Sequence, residues 1–216
     1  MNEIPWAPDV FQRDDGRYVL YYSTIPREDT RRHCIGGAID ADGFRDDDGI
    51  LYITYKVDGS AINTEGNDNY HPTPLVLQEV EADGYTRVGE PITLLDRNES
   101  DGRLIEAPSI TKVDGIYYLF YSSHMFNSPD YDSKFATAPS VAGPYTQWGR
   151  VIAPGDPSDV GPLSGPGGAD VSVDGAKLLF HANLDNESCW WEGAVCDSCQ
   201  FAGWRSHHPR WRERLW

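Results

Sequence analysis

Short runs of aromatic and β-branched residues recur along the chain, and four of them follow an Asp-Gly pair. The copies read DDGRYVLYYS from Asp14, DDDGILYITYK from Asp46, VDGIYYLFYSS from Val113 and VDGAKLLFHAN from Val173. An Asp-Gly pair between apolar runs is a strong signal for a β-hairpin. An apolar segment stands before each turn (APDVFQR, AIDADGFR, APSITKV and GGADVSV), so each copy predicts two antiparallel strands. We expect this hairpin to be the outer pair of a four-stranded unit.

Helical periodicity is almost absent, and the strand-like runs are separated by clusters of Gly, Pro, Asp and Asn. The predicted strands are 18–23, 51–56, 74–79, 92–95, 116–122 and 177–181. One β-unit used repeatedly in an all-β chain predicts a propeller or a related array of sheets.

The four turns are unevenly spaced. Their glycines are Gly16, Gly49, Gly115 and Gly175, so the successive steps are 33, 66 and 60 residues. The longer steps leave room for two further strands and a link to the next unit. The first step is about half as long, which indicates that its unit is incomplete.

Composition narrows the classes of function. The 216 residues carry 18 basic and 34 acidic side chains, for a formal net charge of −16, which disfavours a nucleic-acid partner. The sequence has no apolar stretch of membrane-spanning length, and MNEIPWAPDV lacks the features of a secretory signal. The cysteines are Cys34, Cys189, Cys196 and Cys199. The last two form a C-x-x-C without a second ligand pair at suitable spacing, so we predict no metal.

The composition changes near Asn186, because five of the seven tryptophans and the basic run RSHHPRWRERLW follow it. We therefore predict a propeller domain over residues 1–186 and a tail over 187–216 that lies outside it. Two readings of the tail stay open. It is either a helix for a membrane surface or a partner, or an incongruous end of the gene.

Two carboxylates stand out by context, Asp40 in GGAIDADGF and Glu106 in LIEAPSI. Each precedes the inward-leading strand of its own repeat, and equivalent positions of neighbouring blades converge near a propeller axis. Two acids brought together can divide the work of general acid and ionised partner, as the cleavage of a glycosidic bond requires. The alternative is that both are ordinary polar residues at strand entries.

The segments WAPDVFQRDDGRYVLYYS, GGAIDADGFRDDDGILYITYKVDG, LIEAPSITKVDGIYYLFYSS and PGGADVSVDGAKLLFHA together resemble glycoside hydrolase family 43. The resemblance covers about residues 5–185. It implies a five-bladed β-propeller that hydrolyses arabinose- and xylose-containing plant polysaccharides with inversion.

The resemblance also implies roles for individual residues. Glu106 in EAP matches the general acid, and Asp40 in AID matches the Asp that tunes the pKa of the acid and positions it. Trp6 matches an aromatic residue near the sugar, and the alternative for Trp6 is packing between blades. The family's general base is an Asp of the first blade, upstream of Trp-Ala-Pro-Asp. We expect this chain to lack that blade and its base, and Asp9 belongs to the later motif.

Further expectations follow from the same comparison. The run RRHCIG leads straight into GAIDADGF, so we expect an internal deletion near residues 34–37. No cofactor is expected. Some members of the family hold calcium through a His of the last blade, but residues 165–171 contain none. We expect a secreted monomer that takes cell-wall oligo- or polysaccharides, and poor solubility, because an open ring exposes sheet edges. The alternative function is a catalytically inactive remnant that at most binds carbohydrate.

Overall fold

The computed structural model describes residues 5–24, 37–59, 71–159 and 161–183, and the backbone of Gln200–Trp204. Within these residues the chain is all-β, with a single short 3-10 turn at Glu99–Asp101. The strands are β1 (Trp6–Gln12), β2 (Tyr18–Ser23), β3 (Ala38–Arg45), β4 (Leu51–Val57), β5 (Leu75–Val80), β6 (Arg87–Leu95), β7 (Ile105–Val113), β8 (Ile116–Ser123), β9 (Asp132–Ala138), β10 (Thr146–Ile152), β11 (Pro157–Ser158), β12 (Gly161–Pro162), β13 (Ser164–Val171), β14 (Leu178–Asn183) and β15 (Gln200–Trp204). All six predicted strands are present, with bounds shifted by a few residues.

The four predicted hairpins are confirmed. Strands β1–β2, β3–β4, β7–β8 and β13–β14 are antiparallel pairs joined by the Asp-Gly turns. The turn glycines Gly16, Gly49, Gly115 and Gly175 have φ values of 80°, 86°, 78° and 65°. These values explain why glycine stands at each turn, since other residues rarely adopt them.

Two four-stranded sheets are complete, with the orders β3-β4-β5-β6 and β10-β9-β8-β7. Strands β13, β14 and β15 form a third sheet, β1 and β2 a fourth, and β11 and β12 a small ribbon. The first strands of neighbouring sheets contact one another, β1 with β3, β3 with β7 and β7 with β13. The Asp-Gly hairpin therefore lies where the sheets converge, and its predicted outer position is wrong.

The core fills the two spaces between neighbouring sheets. Strand β8 contributes side chains to both of these spaces, because its successive side chains point to opposite faces of the sheet. Leu119 and Tyr121 pack toward β3–β6 with Leu75, whereas Tyr118 and Phe120 join the cluster toward β13–β14. Burial on both faces explains why the strand IYYLFYSS is almost continuously apolar.

Strand β2 repeats the pattern of β8, but one face of it is exposed. Leu20 pairs with Val10 as Leu119 pairs with Ile110, yet Leu20 is 57% exposed and Leu119 is 0% exposed. We call Val10, Tyr18, Leu20 and Tyr22 the exposed strip; each is more than half exposed.

Several expectations stay predictions. The blade count of five and the missing first blade are among them, as is the domain boundary at residue 186. Strand β15 pairs with β14 in the third sheet, and the rest of the tail lies outside the described residues. The predicted deletion near 34–37 falls largely in residues 25–36, which also lie outside them. Among the described residues, no helix has the length and apolar character of a membrane span.

Candidate active site

One four-residue motif occupies the same point in four first strands. It reads WAPD from Trp6, IDAD from Ile39, EAPS from Glu106 and GGAD from Gly167. The pairing register shifts between its first and fourth residues each time, which marks a β-bulge. The second residues, Ala7, Asp40, Ala107 and Gly168, have φ values of 46°, 55°, 50° and 59°.

The bulges aim the two predicted acids at each other. Asp40 is the second residue of its motif and Glu106 the first of the next, so their positions are not equivalent and lie inside β3 and β7 rather than before them. The N–H of Ala107 donates to Asp40 Oδ2 at 3.1 Å. Asp40 is thus bonded to the residue directly after Glu106. Glu106 and Asp40, the predicted acid and its predicted tuning partner, therefore lie together, and their roles stay predictions.

A lysine completes the acidic pair. Lys56 lies opposite Ile39 on β4, is 1% exposed, and donates from Nζ to Glu106 Oε2 at 2.9 Å. The same Nζ is 3.9 Å from Oδ1 of the buried Asp58. A buried ammonium is tolerated only when carboxylates compensate its lost hydration. Sequence reasoning missed Lys56, although a lysine that ends the apolar run YITYK is a visible signal.

The pKa of Asp40 is far from its ordinary value of 3.8. Burial, and then the charge of Glu106, raise the pKa of Asp40 to about 7, and the charge of Asp58 adds to the rise. Lys56 and the N–H of Ala107 act in the opposite direction. The site therefore holds a carboxylic proton close to neutral pH.

An aromatic pair faces Glu106 from the other side. Tyr131 is buried and hydrogen-bonds with Ser122 and Glu106; burial, and then the charge of Glu106, raise its pKa well above 10.0. The ring of His181 stacks on Tyr131 with centroids 5.8 Å apart. Burial lowers the pKa of His181, against the charge of Glu106, so its imidazole is neutral near pH 7. A Cβ on Gly167 would come within 2.0 Å of the Tyr131 ring, so only glycine allows this packing.

The fourth residue of the first three motifs ties one sheet to the next. Asp9 Oδ2 accepts from the N–H of Gly43 at 2.9 Å, and Ser109 Oγ accepts from the N–H of Val171 at 3.3 Å. Asp42 Oδ2 accepts from the N–H of Ile110 at a longer distance, 3.4 Å. Burial, and then the charges of two neighbouring aspartates, raise the pKa of Asp42 well above 3.8. The exclusion of Asp9 as the general base stays a prediction.

Other predicted features are less defined. Trp6 begins β1 opposite Ser23, and a contact with sugar stays a prediction. The absence of the general base is likewise a prediction; Asp58 is the third carboxyl beside Lys56. In the part of the chain that the structure describes, no three His, Cys, Asp or Glu residues are arranged to hold a metal ion. Cys196 and Cys199 lie outside that part.

The sequence model described as glycosyl hydrolases family 43 matches residues 29–194. The chain belongs to this family. It is 26% identical to extracellular endo-α-(1→5)-L-arabinanase 1 of Bacillus subtilis (strain 168) over 235 aligned residues, which cover 94% of the chain and 68% of that protein. It is 28% identical to the probable arabinan endo-1,5-α-L-arabinosidase C of Aspergillus flavus, over 62% of the chain and 45% of that protein.

Solved structures agree with the family. The fold matches the crystal structure of a thermostable family-43 glycoside hydrolase with a TM-score of 0.62 and 25% identity, over 85% of this chain and 67% of that one. The chain thus spans about two thirds of the length of the Bacillus arabinanase and of the thermostable hydrolase. It spans less than half of the Aspergillus protein.

Proposed function

We propose that this family 43 protein hydrolyses glycosidic bonds of arabinose-containing plant polysaccharides, with linear 1,5-α-L-arabinan as the first substrate to test. The observation that carries the proposal is the pair formed by the buried Glu106 and the half-buried Asp40 in neighbouring bulges, one of which holds a proton near neutral pH. Paired carboxyls with different protonation are what a glycosidase needs. The relatives named as arabinan-cleaving enzymes support the choice of substrate.

Inversion divides the reaction between an acid and a base. When substrate binds, the proton that Asp40 holds in the substrate-free protein passes to Glu106. Glu106 gives it to the oxygen of the leaving sugar while a base on the other side takes a proton from water. The water oxygen then bonds to the anomeric carbon as the glycosidic bond breaks. The family resemblance assigns the base to an Asp of a preceding blade. Asp40 holds the nearby proton, and Trp6 offers a flat face for a sugar ring.

The second candidate function is carbohydrate binding without hydrolysis. It is favoured by the ion pair between Lys56 and Glu106, because a carboxylate bonded to an ammonium has no proton to donate. Binding would use the same surface, with the acids accepting hydrogen bonds from sugar hydroxyls.

One experiment separates the two functions. The whole chain is incubated with debranched arabinan, and reducing ends are counted for the wild type, Glu106→Gln and the exposed control Glu99→Gln. Hydrolysis predicts release that falls at least about 100-fold in Glu106→Gln and is unchanged in Glu99→Gln. Binding without hydrolysis predicts that none of the three proteins releases reducing ends. It also predicts a heat of binding when arabino-oligosaccharide is added in a calorimeter. Equal release from both variants would refute the role of Glu106.

The remaining proposals concern the setting of the reaction. We propose secretion, because the Bacillus relative is named extracellular, and a monomer as the acting form. Size-exclusion chromatography with light scattering, and fractionation of the source cells, test these two points.

A further inference from the structure

Lys56 stands where two other sheets have a serine. Ser23 on β2 and Ser122 on β8 lie opposite the first motif residue of their own sheets, as Lys56 does on β4. Ser23 Oγ accepts from the N–H of Asp40 at 3.2 Å, and Ser122 Oγ accepts from the N–H of Gly168 at 2.8 Å. These serines join one sheet to the bulge of the next. At the same position β4 supplies a cation.

The cation meets an acid. Its Nζ is 2.9 Å from Glu106 Oε2 and 3.9 Å from Asp58 Oδ1. The charge of Lys56 also acts to lower the pKa of Asp40. A neutral hydroxyl would join the sheets without the desolvation cost of a buried ammonium. Within the described residues, Glu106, Asp58 and Asp40 thus lie around one lysine.

We propose that Lys56 is a positioning residue: it holds Glu106 ionised in the substrate-free protein and thereby places the shared proton of the pair on Asp40. The ammonium donates directly to Glu106, whereas the contact of Asp40 is with a neutral backbone N–H. A cation favours the ionised form of the carboxyl that it touches. The pKa of Asp40, raised to about 7 by burial and then by Glu106, agrees with this assignment.

The other titratable groups that the structure places around Glu106 do not change the charge balance near neutral pH. Tyr131 keeps its proton because burial raises its pKa, and His181 is neutral because burial lowers its pKa. Asp58 shares the ammonium from the far side. Removal of the lysine therefore acts mainly on the Asp40–Glu106 pair.

The test follows the carboxyl carbons themselves and needs no turnover. The full chain is labelled with carbon-13 at the side-chain carboxyls of Asp and Glu, and its NMR spectrum is recorded from pH 4 to pH 9. We expect an Asp signal that titrates near neutral pH and is missing in Asp40→Asn. Lys56→Met raises the pH of this titration by about one unit or more, because the cation is lost. Lys56→Arg keeps it near its original place.

The matched control is Lys134→Met, which removes another buried lysine, bonded to Asp101 at 2.7 Å in a different cluster. It should leave the neutral titration unchanged. A neutral titration that belongs to a Glu signal and disappears in Glu106→Gln would overturn the inference, as would equal spectra of Lys56→Met and Lys134→Met. If Lys56→Met does not fold, Lys56→Gln takes its place with the same expected upward shift, and an unchanged titration in that variant would overturn the inference.

The catalytic meaning of Lys56 rests on the proposed function. If arabinan is cleaved, Lys56→Met shifts the basic limb of the pH profile of kcat/KM upward, in parallel with the NMR titration. A protein that shows the Asp40 titration but cleaves no arabinan refutes the proposed function and supports the proton placement. A protein that cleaves arabinan but titrates at Glu106 does the reverse.

Discussion

Replacement of Asp40 by asparagine tests the electrostatics of the site through stability alone. The substitution is nearly isosteric, and Asn tolerates the φ of 55° found at this position. The amide oxygen can accept the hydrogen bond from Ala107 that the carboxyl accepts now. Asn cannot ionise, so the variant differs from the wild type mainly in the titration of one buried group.

The sign and the size follow from the raised pKa. Below about pH 4 the carboxyl of Asp40 is protonated in both the folded and the unfolded chain. Between pH 3.8 and about pH 7 the unfolded chain releases this proton and the folded chain keeps it, so the wild type loses stability as the pH rises. A pKa difference of one between the folded and the unfolded chain corresponds to about 1.36 kcal/mol, so the difference between 3.8 and about 7 corresponds to about 4 kcal/mol. Asp40→Asn should therefore gain about 4 kcal/mol over the wild type between pH 4 and pH 8.

The assay is urea unfolding at each pH unit from 4 to 8, followed by tryptophan fluorescence. The control is Asp83→Asn, because side-chain and backbone hydrogen bonds from Thr86 lower the pKa of Asp83. That variant should be less stable than the wild type by a nearly constant amount from pH 8 to about pH 5, because the pKa of Asp83 lies below 3.8 in the folded chain. A free-energy difference between Asp40→Asn and the wild type that is the same at pH 4 and pH 8 would refute the raised pKa.

Three further predictions follow. Asp42→Asn should also gain stability over the wild type as the pH rises above 3.8, since burial raises the pKa of Asp42; urea unfolding at pH 4 and pH 8 checks this. Gly168→Ala should cost about 2 kcal/mol more in thermal unfolding than Gly89→Ala. Both glycines have positive φ, but only at Gly168 would the new Cβ meet a neighbour, His181 at 2.6 Å. Leu20→Lys should reduce aggregation of the concentrated protein in light scattering, because it puts a charge into the exposed strip; unchanged aggregation would show that the strip does not cause poor solubility.

The parts of the fold that could be predicted are local in sequence. An Asp-Gly turn and the strands on either side of it lie within about twenty residues, so the four hairpins follow from turn chemistry and period-2 alternation. Their place within each sheet was predicted wrongly. Which strand lies innermost depends on how separate sheets pack, and a single hairpin carries no signal for that.

Part of the candidate site could likewise be predicted from local sequence, and part could not. The motifs around Asp40 and Glu106 indicated both acids, but the bulge that aims them depends on pairing with strands further along the chain. Lys56 reaches an acid fifty positions away, and a lone lysine at the end of a strand is usually solvated. The four-letter motif WAPD, IDAD, EAPS and GGAD was available in the sequence. Aligning it would have placed Asp40 at the positive-φ position of its bulge.

The central claim is that Glu106 protonates the leaving oxygen during an inverting cleavage of arabinan. The most direct measurement is proton NMR of the first sugar released from linear 1,5-α-L-arabinan, recorded before the anomers equilibrate, for the wild type and Glu106→Gln. We expect the β anomer to appear first with the wild type and no product to appear with the variant on the same time scale. The α anomer as first product, or undiminished release by Glu106→Gln, would contradict it.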